Sequence, residues 1–129
     1  MSRAVLLSLL LALVAACGDD GAEPEDGAQR FPDVVAATAT RAADGRLTFE
    51  VTISSPYDTP ERYADGWRVL DPEGNVLGTH MLMHDHANEQ PFTRSLSDVT
   101  IPEGVDVVVL QARDSEYGWA LSTYEYELP

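Results

Sequence analysis

His80, His84 and His86 are the only histidines of the chain, and they fall within seven residues. Met81 and Met83 sit between them, and Glu89 follows. An extended strand turns successive side chains to opposite sides. His80, Leu82, His84 and His86 would then share one face, and Met81, Met83 and Asp85 the other. Neighbours at i and i+2 lie roughly 6.5–7 Å apart along a strand. Two imidazoles at that spacing can converge on one cation, as in His-x-His metal pairs. His84 and His86 are therefore candidate ligands, with His80 one step back on the same side and Glu89 as an oxygen donor past the bend. Imidazole and thioether donors favour Cu or Zn over hard cations, but alternation sets Met81 and Met83 on the wrong face. The competing reading is structural. Met81 and Met83 point inward with Leu77 as adaptable core filler, and the histidines lie on the solvent face or in a loop closing at Pro91.

A second group of candidates is aromatic. Tyr57, Tyr63, Tyr117 and Trp119 fall in or near loops, where they would form a protein- or glycan-binding edge or cap the ends of the fold. Motifs for catalysis are missing. There is no Gly-x-Ser-x-Gly, no phosphate-cradling glycine loop and no lysine, and Cys17 is the only cysteine. A triad built from distant residues leaves no motif; the reading on motifs alone is a non-catalytic chain.

Charge narrows the partners. Eight positive side chains, all arginine, face 22 carboxylates, for a net charge of −14. Such a surface repels phosphate backbones, so nucleic acid is excluded as a partner. It repels anionic headgroups equally, so any membrane contact must come from something other than charge.

The N-terminus supplies one. After Met1-Ser2-Arg3, an apolar run of 13 residues extends from Ala4 to Ala16. A membrane-spanning helix needs about 20 residues, so the run fits the apolar region of an export signal. It ends in Val14-Ala15-Ala16-Cys17-Gly18. This segment resembles the lipobox of bacterial lipoproteins. The resemblance implies cleavage before Cys17, diacylation of its sulfur and export to the periplasmic face or cell surface. Two or more acyl chains hold a protein stably on a bilayer, each buried CH₂ contributing about 0.8 kcal/mol. Gly18, where an Asp would favour retention at the inner membrane, points towards the outer membrane in cells that have one. Residues 17–32 are acidic, contain Gly and Pro and carry little bulky apolar surface, the composition of a disordered tether.

The candidate residues must be positioned by residues 33–129. Here short alternating runs are separated by turn residues, the signature of an antiparallel sandwich. Strands are expected at Val34–Arg41, Leu47–Ser54, Trp67–Leu70, Val76–Met83, Phe92–Leu96, Val105–Arg113 and Ala120–Leu128. Val105–Arg113 is apolar enough to be central and covered on both faces. Asp71-Pro72-Glu73-Gly74-Asn75 reads as a tight turn. Seven strands with an early tryptophan, Trp67, resemble the disulfide-free immunoglobulin/fibronectin-III sandwich. The sequence thus describes an all-β, immunoglobulin-like domain on a lipid anchor. Its expected role is a binding or accessory module of the cell envelope, meeting an envelope protein or glycan; the alternative is a Cu- or Zn-binding lipoprotein.

Overall fold

The computed structural model describes residues 29–129. The expected signal peptide at 1–16, Cys17 and the tether up to residue 28 lie outside the described residues. Eight strands follow: β1 (Asp33–Arg41), β2 (Leu47–Ser54), β3 (Ala64–Leu70), β4 (Val76–Met81), β5 (Phe92–Val99), β6 (Val107–Asp114), β7 (Gly118–Trp119) and β8 (Tyr124–Glu127). Every pairing is antiparallel. One sheet runs β1-β2-β5 and the other β4-β3-β6, with β7 and β8 both on the far side of β6. The chain is the antiparallel β-sandwich that its alternation predicts.

β2 shows how the pattern builds the layer. Leu47, Phe49, Val51 and Ile53 are fully buried, while Glu50 between them is exposed. Trp67 and Val69 of β3 and Val108 and Leu110 of β6 meet them from the other sheet, all without solvent contact. Each such side chain contributes about 1.5–3 kcal/mol of burial, and Trp67 is the largest. Gly78 of β4 faces the same interior. A Cβ there would come within 3.0 Å of Leu96 Cδ2, so the small residue lets the two sheets close at this edge.

The expectations for β6 and for the last strand change. The apolar run of β6 is central, but it is not covered equally on both faces. Val108, Leu110, Ala112 and Asp114 are buried, whereas Val107, Val109, Gln111 and Arg113 are half-buried on the outer face. The last strand is interrupted. Gly118–Trp119 pairs with Arg113 and Asp114, and Ala120 N–H still reaches the Ala112 carbonyl at 2.8 Å. The chain then bulges outward at Leu121, 88% exposed, before Tyr124–Glu127 pairs with Val107–Leu110.

The Asp71 turn closes the β3–β4 hairpin. Asp71 Oδ1 accepts the N–H groups of Glu73 and Asn75 at 2.9 and 2.8 Å, and Oδ2 accepts Asn75 Nδ2 at 2.8 Å. These bonds, led by the Asn75 side chain, hold its carboxyl below the usual carboxylate range. At the opposite end of the sandwich lie the connections 29–32, 55–63, 82–91 and 115–117. Residues 29–32, assigned to the tether on composition, pack on the domain there. Gln29 Nε2 donates to the carbonyls of Phe31 and Ser54 at 2.7 Å, and Pro32 is buried.

Candidate functional site

The histidine stretch divides at the end of β4. His80 lies directly opposite Trp67 in register and turns inward, its ring 5.5 Å from the indole. Burial, with Arg94 adding to it, lowers its pKa below the usual histidine value. Met81 and Met83 turn outward and are 53% and 83% exposed. This corrects the expectation that the methionines fill the core and the histidines face solvent. The strand is in the alternating phase that puts His80 on the Trp67 side, and β4 ends before Met83.

Beyond β4, His86 is buried within the 82–91 connection. Its ring stacks on Phe92 at 3.9 Å and lies 4.9 Å from the ring of His84. Its backbone N–H donates to Asp58 Oδ2 at 3.0 Å, and Asp58 Oδ1 accepts Ala64 N–H at 3.0 Å. Asp58 thereby ties two loops to the start of β3. Gln90 Nε2 donates to the His86 carbonyl at 2.9 Å, and Gln90 Oε1 accepts Ser55 N–H at 2.7 Å. The Nδ1 atom of His86 is buried without a hydrogen-bond partner among the described residues, 3.9 Å from Asp58 Oδ2. Burial first, then Arg94 and His84, holds the His86 pKa low against the pull of Asp58 and Glu89. His84 is exposed, its Nδ1 2.9 Å from the Asp85 carbonyl. Glu89 is occupied by Arg94, whose two terminal nitrogens donate to its oxygens at 3.1 and 3.0 Å. That pairing depresses the Glu89 carboxyl pKa. Of the candidate ligand set the structure brings together His84 and His86, and gives His80 and Glu89 other partners. Among the described residues no three His, Cys, Asp or Glu side chains gather as a metal-holding group.

Beside this loop lies a polar cluster built on Asp114, which has no solvent contact. Its oxygens accept Tyr57 Oη at 2.7 Å, the N–H groups of Glu116 and Tyr117 at 2.9 Å and Arg62 Nε at 3.3 Å. The Arg62 guanidinium lies 4.2 Å from the Tyr57 ring centroid and 4.8 Å from that of Tyr117. Arg62 also donates through Nη2 to the Arg30 carbonyl. Phe31 meets Tyr117 edge-on at 6.2 Å. Burial and the bond to Asp114 push the Tyr57 hydroxyl pKa upward. Tyr63 joins by its backbone, accepting Ser115 N–H at 2.9 Å and donating to Ser115 Oγ at 3.1 Å. Three of the four aromatic candidates, Tyr57, Tyr63 and Tyr117, therefore lie at one end of the sandwich around Arg62 and Asp114.

The fourth, Trp119, lies on the outer face of the larger sheet. The guanidinium of Arg68 covers its ring at 3.8 Å, and that of Arg113 lies at 5.9 Å. Contacts of this kind contribute about 0.5–2 kcal/mol each. Arg68 Nε donates to Gln111 Oε1 at 2.9 Å, and Gln111 Nε2 donates to the Ala120 carbonyl at 2.7 Å. Arg113 pairs with Asp65 through Nη1. Burial raises the Asp65 carboxyl pKa against the opposing effect of Arg113. Arg68 makes no ion pair among the described residues, and burial lowers its pKa. A guanidinium already held flat on a ring loses little rotamer freedom when it meets an acceptor.

Sequence reasoning found Trp119 and missed Arg62, Arg68, Arg113, Asp58 and Asp114. The available signal was scarcity, because each of only eight arginines among 22 carboxylates is a site that composition does not explain. The chain matches no protein-family model, no curated protein and no solved structure.

Proposed function

We propose that this chain is a non-catalytic binding module of the cell envelope, exported and held at a membrane by lipid on Cys17. The observation that carries the binding half is the Arg68–Trp119–Arg113 stack on the outer sheet face. Tryptophan and arginine are the residue types that dominate binding energy in protein interfaces. Arg68 offers its terminal N–H groups to a partner's carboxylate or carbonyl oxygens, and the partner is an envelope protein. The support for the anchor is the sequence pattern ending at Cys17.

Labelled palmitate should enter the wild-type chain and not Cys17→Ser, and the variant should leave the membrane fraction. For the binding half, the immobilised full chain should retain an envelope component that Arg68→Gln does not retain. Equal retention by both chains would refute the proposed face.

The alternative, a Cu or Zn site, has narrower support in the 4.9 Å approach of His84 and His86. It would show as binding tighter than about micromolar, near 8 kcal/mol, that His84→Ala with His86→Ala abolishes.

A further inference from the structure

Four residues stand in one row across the larger sheet. Met81 of β4 is opposite Gly66 of β3, Gly66 is opposite Arg113 of β6, and Arg113 is opposite Trp119 of β7. Directly opposed residues share a face, so Met81 lies on the outer face with Arg113 and Trp119. Neighbouring strands are about 4.8 Å apart, which sets the Met81 and Arg113 backbones about 10 Å apart with only a glycine between them. The methionine leans into that gap. Its sulfur lies 3.4 Å from where a Cβ of Gly66 would stand. Across the gap the Arg113 guanidinium is paired with Asp65 through Nη1 and lies 5.9 Å from the Trp119 ring.

Apart from Met1, Met81 and Met83 are the only methionines of the chain. Methionine normally fills gaps in a core, yet both turn outward here while the less apolar His80 turns in. A thioether is protected from oxidants by burial, and neither of these is buried: Met83 is wide open and Met81 is half-covered by its approach to Gly66. Only Met81 belongs to the row that ends at Trp119. Met83 lies past the end of β4.

We propose that Met81 is a reversible oxidation site that acts on the Arg113–Trp119 arrangement, with Met83 as a neighbour that reacts first and without structural effect. The oxidant is a peroxide. A sulfur lone pair attacks one peroxide oxygen, and the S–O bond forms as the O–O bond breaks. The departing hydroxide takes the proton of the transferred oxygen and leaves as water. Sulfur loses two electrons and the peroxide gains them. The product is methionine sulfoxide, which is polar and chiral, and sulfoxide reductases restore the thioether. The sulfoxide oxygen is a hydrogen-bond acceptor where the thioether was apolar, and hydrogen bonds from a charged donor are the strong ones. At Met81 the cation in the same row is Arg113, whose guanidinium the new acceptor draws towards β4 and away from Trp119. The consequence for partner binding rests on the face proposed above; the oxidation and its effect on Trp119 do not.

The test treats the full chain with hydrogen peroxide, its single thiol removed by Cys17→Ser so that no sulfhydryl consumes the oxidant. Tandem mass spectrometry should show one added oxygen at Met83 as fast in the folded chain as in urea, and at Met81 more slowly but well before unfolding. Tryptophan emission should shift with the Met81 reaction, in the parent chain and in Met83→Leu. It should stay constant in Met81→Leu, and methionine sulfoxide reductase with a dithiol should reverse the shift. No sulfoxide at Met81 in the folded chain overturns the proposal. So does an emission shift that persists in Met81→Leu, or none when Met81 is fully oxidised. In the retention experiment the Met81-oxidised chain should hold less of the envelope component than the untreated chain, and equal retention also overturns the proposal. An untreated chain that retains nothing refutes the binding face instead, and the emission series then decides the oxidation site by itself.

Discussion

The guanidinium of Arg68 lies 3.8 Å from the centroid of the Trp119 ring. The pair joins β3 to β7 across the intervening strand β6, with Gln111 of β6 bonded to Arg68 beneath it. It fixes a charged plane on a sheet face of an otherwise acidic chain.

Lysine at this position keeps the charge but loses the flat stack and the fixed donor to Gln111. Arg68→Lys should therefore cost about 0.5–1 kcal/mol and alter the emission of Trp119. Urea unfolding gives the first quantity and fluorescence the second. With Trp67 changed to Phe in both chains, the emission difference should persist, since the other indole is sealed in the core.

Asp114 is the most committed polar residue of the loop end. It accepts from Tyr57, Arg62 and two backbone N–H groups while fully buried. Asp114→Ala strands all of these donors and should cost about 3–5 kcal/mol. Tyr57→Phe removes a single bond and should cost about 1 kcal/mol. Equal losses in chemical denaturation would show that the cluster is not centred on the carboxylate.

His80 and His86 are both held below the ordinary histidine pKa, chiefly by burial. The unfolded chain therefore takes up protons near pH 6.5 that the folded chain resists. Stability is full above that pH and falls as the pH drops from 7 towards 5. The slope has an upper limit of about 1.4 kcal/mol per pH unit for each histidine. Asp71 and Glu89 have depressed pKa values, so their contributions are lost only at lower pH, in the carboxylate range. Melting temperatures across pH 5–7 should fall with acid for the wild type and fall less for His80→Gln with His86→Gln.

Much of this was legible in the sequence because alternation is a physical constraint with few solutions. Leu47, Phe49, Val51 and Ile53 could only face a core, and Trp67 could only anchor it. The phase of β4 was also legible, since His80 and Met81 must face opposite ways. Which face lay inside was not, because methionine is more apolar than histidine and the inward side of β4 is set by contact with Trp67. The Asp114 cluster joins residues 57, 62 and 114, whose separations in sequence carry no period. The same holds for Arg68, Gln111 and Trp119, which meet only when β3, β6 and β7 align.

Gly66 shows another constraint hidden from pattern. A Cβ there would lie 2.9 Å from the His80 carbonyl oxygen, a backbone atom that cannot rotate away. Gly66→Ala must displace β4 from β3 and should cost about 1–3 kcal/mol. Amide exchange in Thr79 and His80 should rise with it, while exchange in β2 stays slow.

The most direct measurement is photo-crosslinking of the full chain, expressed with its N-terminal segment in cells that export it. A photoreactive residue at Leu121, 88% exposed and two positions after Trp119, samples the proposed face. One at Thr93, on the exposed side of the other sheet and bonded to Thr52 at 2.7 Å, is the control. A discrete heavier species should form from Leu121 and be lost with Arg68→Gln, and none should form from Thr93. No species from Leu121, or the same species from both positions, would contradict the proposed face.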